Sequence, residues 1–175
     1  MAAASTTTKK KGAKTVARKY IEALGEQRLD DAVAMWRAGS IDHFHGMVDL
    51  TAPGGVRAWF SELFAAFPDW SMEVVDAAGS GDRAAIRWRA KATFTGPGRF
   101  QGLTPTGAEI EIEGCDMFSV ENGVIVENHA YVNANEIAQK LGVMPPQGSF
   151  GERAMTAGVI AKTSATKLIR RAVDR

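Results

Sequence analysis

Residues 83–95 read RAAIRWRAKATFT, and their alternation decides the fold. Ala84, Ile86, Trp88, Ala90, Ala92 and Phe94 share one parity, while Ala85, Arg87, Arg89, Lys91 and Thr93 share the other. A period of two, apolar on one side and cationic on the other, is that of a strand covering a core with one face and meeting water with the other. The same period extends outward through Met72–Asp76, Glu109–Val120 and Val124–Asn133. Turn signals at Gly79–Asp82, Gly96–Gly98 and Glu121–Gly123 separate these segments. Asn122-Gly123 is the strongest hairpin signal among them.

Upstream the period lengthens to that of a helix. Val16, Ala17, Tyr20, Ile21 and Leu24 line one face of a helix over Ala13–Gly25. A second helix is expected at Leu29–Trp36. A third is expected across Val56, Trp59, Phe60, Leu63, Phe64 and Phe67, stopped by Pro68. Gly39–Gly55 reads as a connection, and a short helix follows the last strand at Ala134–Leu141. Three helices and then a four-stranded antiparallel meander is an α+β plan, in which a curved sheet wraps the helices and leaves an interior pocket.

Parity also sorts the polar residues. Asp116 shares a face with Ile110, Ile112 and Phe118, where a carboxylate is costly unless hydrogen-bonded. In the last strand neither parity is clean, which predicts a bulge or a switch of exposure.

The formal charge of +1 is a sum of opposites. Residues 1–19 contribute +6 and residues 152–175 contribute +4, which leaves the body at −9. Residues 1–14 are expected to be a disordered basic tail without an apolar leader core. Residues 15–146 form the expected domain, and 147–175 a basic extension with helical spacing. The basic ends suit an anionic surface or an acidic partner; the body gives no reason to expect nucleic-acid binding. One cysteine, Cys115, rules out a disulfide framework, no apolar run is long enough for a membrane span, and a cytoplasmic location is expected.

Four stretches resemble a known family: Gly81–Trp88, Phe100–Gly107, Gly114–Phe118 (GCDMF) and Asn122–Glu127 (NGVIVE). Together with Phe67-Pro-Asp-Trp70 and Leu141-Gly-Val143 they are similar to the SnoaL-like polyketide cyclases of the nuclear-transport-factor-2-like superfamily. The likeness runs over about residues 16–146. It implies a conical α+β fold, a deep hydrophobic pocket and a homodimer packed through the sheet. It also implies ring closure by intramolecular aldol condensation without metal or cofactor, with an acidic side chain handling the proton. Family members commonly carry Glu, any residue, Trp, three residues and Asp in the last strand. Here Glu127–Asn133 reads ENHAYVN, with His129 in place of Trp and Asn133 in place of the acid/base.

Candidate site residues follow from that frame. His129, on the strand where family pocket residues sit, is the candidate acid/base, with Asp116 and Asn133 beside it. His43 and His45, on the segment leading to the pocket mouth, join Trp88, Tyr131, Phe118 and Asp69 as candidate substrate contacts. Structural roles compete for several of them: Asn133 with Glu136 forms a capping box, Asp69 caps the turn after Pro68, Asp116 accepts hydrogen bonds within the sheet, and His129 is a core histidine. His43 and His45 at i, i+2 lack a third ligand at helpful spacing, so no metal is expected. The readings left open are a cofactor-independent cyclase or isomerase for a hydrophobic, polyketide-like carbonyl compound, a ketosteroid-isomerase-like or epoxide-hydrolase-like enzyme, and a non-catalytic binding or dimerisation module.

Overall fold

The first helix, α1 (Ala13–Gly25), lies against the sheet with Val16, Tyr20, Ile21 and Leu24 buried. The computed structural model describes residues 12–173; most of the expected basic tail, residues 1–11, lies outside the described residues. After α1 come α2 (Leu29–Val33), β1 (Trp36–Phe44), β2 (Val48–Thr51) and α3 (Gly54–Ala66). The strands β3 (Ser71–Ser80), β4 (Arg83–Thr93), β5 (Glu109–Glu121) and β6 (Val124–Val132) follow, then α4 (Ala134–Lys140) and α5 (Phe150–Val173). The sheet has six strands in the order β2-β1-β6-β5-β4-β3.

The meander β3–β6 is antiparallel throughout, as the alternation predicts. The β5–β6 hairpin turns at Asn122 and Gly123, both with positive φ (52° and 84°), which this tight turn needs. On the outer face of β4 and β5 the expected cations meet acids across the strands: Arg89 with Glu113 at 2.6 Å, Arg87 with Glu113 at 3.2 Å, and Lys91 with Glu111 at 3.4 Å. Exposed pairs of this kind contribute about 0–1 kcal/mol each, so they keep the face soluble more than they hold the sheet.

Two strands correct the sequence reading. Trp36 opens β1 rather than closing a helix, and residues read as connection form β1 and β2. β1 runs parallel to β6, with Asp42 beside Asn128 and His43 beside His129. The segment hides its strand character because its inward residues include a carboxylate, and because Gly39 and Gly46, at φ 81° and 79°, resemble loop punctuation.

The predicted irregularity in β6 is present. Its pairing with β5 slips between Ser119–Glu127 and Val120–Ile125, which leaves Val126 as the extra residue. Ile125 is buried before the slip; Asn128 and Ala130 are buried after it. The inward set therefore changes from odd to even numbers along one strand.

Candidate active site

An apolar pocket opens between the sheet and the helices, lined by Leu24, Phe44, Trp59, Phe60, Leu63 and Ile112 among others. Met47, 38% exposed, marks its mouth. The cavity volume is about 70 Å³, small beside the roughly 300–1,000 Å³ of sites for drug-sized ligands. The three lining residues with acidic protons are Tyr20, Asp42 and Asp116, all buried.

Those carboxylates are held in one network. Asn128 Nδ2 donates to Asp116 Oδ2 and to Asp42 Oδ1, each at 2.9 Å. Trp88 Nε1 donates to Asp116 Oδ1 at 2.8 Å, and the Tyr20 hydroxyl donates to Asp42 Oδ2 at 3.5 Å. Gly114 makes the Trp88 contact possible. It sits opposite Trp88 across β4 and β5, where a Cβ would stand 2.3 Å from the indole ring.

The low-dielectric surroundings set the proton inventory. Burial pushes the Asp116 carboxyl up to about 6, against the Trp88 and Asn128 hydrogen bonds that lower it. Burial, and then the neighbouring Asp116 charge, raise Asp42 well above the usual carboxylate range. Burial raises the Tyr20 phenol as well. Both carboxyls are thus shifted toward the protonated form, Asp116 to about 6 and Asp42 well above the usual carboxylate range. Environments that push two carboxyls apart in this way separate a base from an acid.

The sequence-derived candidates divide between the two faces of the sheet. Asp116 and Trp88 line the pocket and touch each other. Phe118 is fully buried behind them, edge-on to Tyr20 at 5.7 Å, and is not a lining residue. His129, His43, His45 and Tyr131 lie on the opposite, outer face, because the slip at Val126 turns His129 outward while Asn128 points in. There His129 stacks on His43 at 4.8 Å and on His45 at 5.1 Å, and Tyr131, 47% exposed, stacks on His45 at 4.5 Å.

Asn133 caps α4, its Oδ1 accepting from Glu136 N at 3.1 Å. Asp69 accepts from the Thr93 backbone and hydroxyl, both at 2.7 Å, and these bonds hold its carboxyl below the usual range. Neither lines the pocket. The polar groups of this network that the sequence reading did not single out are Asp42 and Tyr20, which line the pocket, and Asn128, which is buried between the carboxyls. Asp42 was recoverable from its shared parity with Phe44, had the segment been read as a strand.

Residues 14–141 match the family described as SnoaL-like polyketide cyclase. The chain belongs to that family. Solved structures agree on its fold: AclR of Streptomyces galilaeus, a candidate hydroxylase, is 22% identical with a TM-score of 0.65, over 76% of this chain and 97% of its own. A candidate SnoaL-like polyketide cyclase of Jannaschia sp. CCS1 is 18% identical with a TM-score of 0.64, over 77% and 96%. A Catenulispora acidiphila protein with a ketosteroid-isomerase-like fold, solved with trimethylamine, is 12% identical with a TM-score of 0.60, over 73% and 92%. No curated protein matches in sequence. Membership of the SnoaL-like family supports a cyclase-like enzyme that acts on a small molecule, and among the described residues no helix is long and apolar enough to cross a membrane.

Proposed function

We propose that this SnoaL-like chain is a cofactor-independent cyclase or isomerase for a hydrophobic carbonyl compound, with Asp116 as base and Asp42 as acid. The observation that carries this reading is the pair of buried carboxyls tied through one Asn128 amide at the floor of an apolar pocket. Proton abstraction next to a carbonyl needs a base near the carbon and a hydrogen-bond donor at the oxygen where charge develops. The Asp116 carboxylate accepts the proton from carbon; the protonated Asp42 donates to the enolate oxygen. The enolate carbon then either takes the proton back at a new position, which isomerises the substrate, or attacks a second carbonyl of the same molecule, which closes a ring. Asn128 and Trp88 are positioning residues, holding the Asp116 oxygens while leaving it a base near neutrality.

The cavity volume shapes the substrate class. A flat, unsaturated ketone enters the present pocket more readily than a multi-ring system, which would require Met47, Trp59 or Phe100 to move. Turnover of polyketone, enone and epoxide panels by the wild type and by Asp116→Asn tests the proposal. The expected result is turnover of a carbonyl substrate that rises with pH through about 6 and falls about 10²–10⁴-fold in the variant. Equal turnover by both proteins overturns the assignment, and turnover of epoxides alone replaces the cyclase reading with an epoxide-opening one. We extend the proposal, on the sequence alone, to a homodimer and to basic ends that dock on an anionic partner. Light scattering at low and high salt, with and without residues 1–14 and 152–175, tests both.

A further inference from the structure

All three histidines of the sequence meet on the outer face of the β1–β6 strand pair, with two carboxylates beside them. We propose that His43, His129 and Glu127 bind one divalent transition-metal ion of the zinc class there, on the side of the sheet opposite the pocket. One ligand atom from each of the three residues lies within 4.8 Å of the others. Four-coordinate zinc holds its ligands at about 2.0–2.2 Å, which puts them roughly 3.4 Å apart, so side-chain rotations of about 1 Å close the site.

The outer contacts of these residues match what a metal needs. A metal-ligating imidazole places its second nitrogen on a carboxylate or another acceptor, which fixes the tautomer and raises its basicity. His43 Nδ1 lies 2.8 Å from Asp49 Oδ1 and donates to it, which leaves Nε2 with its lone pair exposed. His129 Nδ1 lies 2.9 Å from His45 Nε2; with the proton on Nδ1, His45 is the acceptor and His129 Nε2 is the free lone pair. That same Nε2 is 3.7 Å from Glu127 Oε2. Ser119 Oγ donates to Glu127 at 3.3 Å and orients it, while Arg83, at 4.0 Å, is the competing cation. In the single chain the three side chains are 26%, 32% and 40% exposed, so an ion reaches them without opening the core.

The topology explains why sequence spacing did not suggest this set. His43 is in β1 and His45 stands just past its end at i, i+2, but the other two ligands, Glu127 and His129, come from β6, more than 80 residues further on, and only the parallel β1–β6 pairing brings them alongside. Two imidazoles and one carboxylate suit zinc, cobalt or nickel better than calcium or magnesium, which take oxygen ligands. The consequence within this fold is mechanical. An ion on His43 and His129 ties the two strands that carry Asp42 and Asn128, one residue away in the same register.

The test uses the untagged full-length chain, stripped with a chelator, dialysed, and titrated with Zn²⁺ alone by calorimetry and with Co²⁺ by visible absorption. Expected are about one equivalent at micromolar affinity or tighter, a visible Co²⁺ band with nitrogen ligation, and a higher melting temperature with Zn²⁺. His43→Ala and His129→Ala each weaken binding at least 100-fold. Asp49→Asn, an exposed change that leaves all three ligands in place, weakens it about 10–100-fold. No saturable binding by the wild type overturns the site. So does binding that survives in a folded His43→Ala/His129→Ala double variant, or that is lost on Cys115→Ala instead.

Discussion

Two neighbouring register pairs on the same two strands do opposite things. Asp42 and Asn128 point inward, joined at 2.9 Å in a pocket where both carboxyls titrate upward. His43 and His129, one residue on, point outward and stack at 4.8 Å beside exposed carboxylates. Side-chain chemistry alone favours the histidines as acid/base groups at neutral pH. Location reverses that ranking, because burial gives a carboxyl the titration range that an imidazole has in water.

The comparison breaks first at Asp116. Asp116→Asn is expected to lower turnover about 10²–10⁴-fold and remove the acidic limb near pH 6 from the rate profile. Asp42→Asn keeps a hydrogen-bond donor but loses the transferable proton, so the loss is smaller, about tenfold, and lies in kcat more than in KM.

Stability gives a second, substrate-free reading. The folded-state Asp116 value of about 6 lies above the unfolded one. Its contribution is therefore full below about pH 4 and is lost as pH rises through 6, by roughly 3 kcal/mol. The melting temperature of Asp116→Asn minus that of the wild type should become more positive between pH 5 and pH 8. A flat difference would show that the carboxyl is not desolvated.

Smaller effects test the support of the pocket. Trp88→Phe removes a donor that lowers the Asp116 value, so the acidic limb should move above 6. Gly114→Ala should do the same, because the added Cβ would stand 2.3 Å from the indole and displace it; a limb that stays in place in both variants shows that Trp88 does not set the Asp116 value. At the small end, Tyr131→Ala on the outer face should leave turnover within about twofold and stability within about 0.5 kcal/mol.

Much of the fold was legible before any coordinates. The apolar parity of Ala84–Phe94, the Asn122-Gly123 turn and the Pro68 stop fixed the meander and the third helix, because each rests on local backbone chemistry. The site was legible only where parity stayed regular. Asp116 stands on an unbroken stretch of β5 and was placed inward from its neighbours. His129 follows the one-residue slip at Val126, so the inward parity of Ile125 does not carry through to it. Asp42 was lost for a different reason: a parallel partner strand lies far away in sequence, and nothing local signals the pairing. Asn133 was legible in its structural role, since the Asn-x-x-Glu spacing predicts the cap that its side chain makes.

On the proposed function, the pocket makes one acid and one base from two buried carboxyls. Carboxyl-carbon NMR titration of aspartate-labelled protein measures this directly, with Asp116→Asn and Asp42→Asn supplying the assignments. Expected are an Asp116 signal that titrates at about 6 and an Asp42 signal that titrates well above the ordinary carboxylate range. Two signals that both titrate near about 4, the value of aspartates in water, would contradict it.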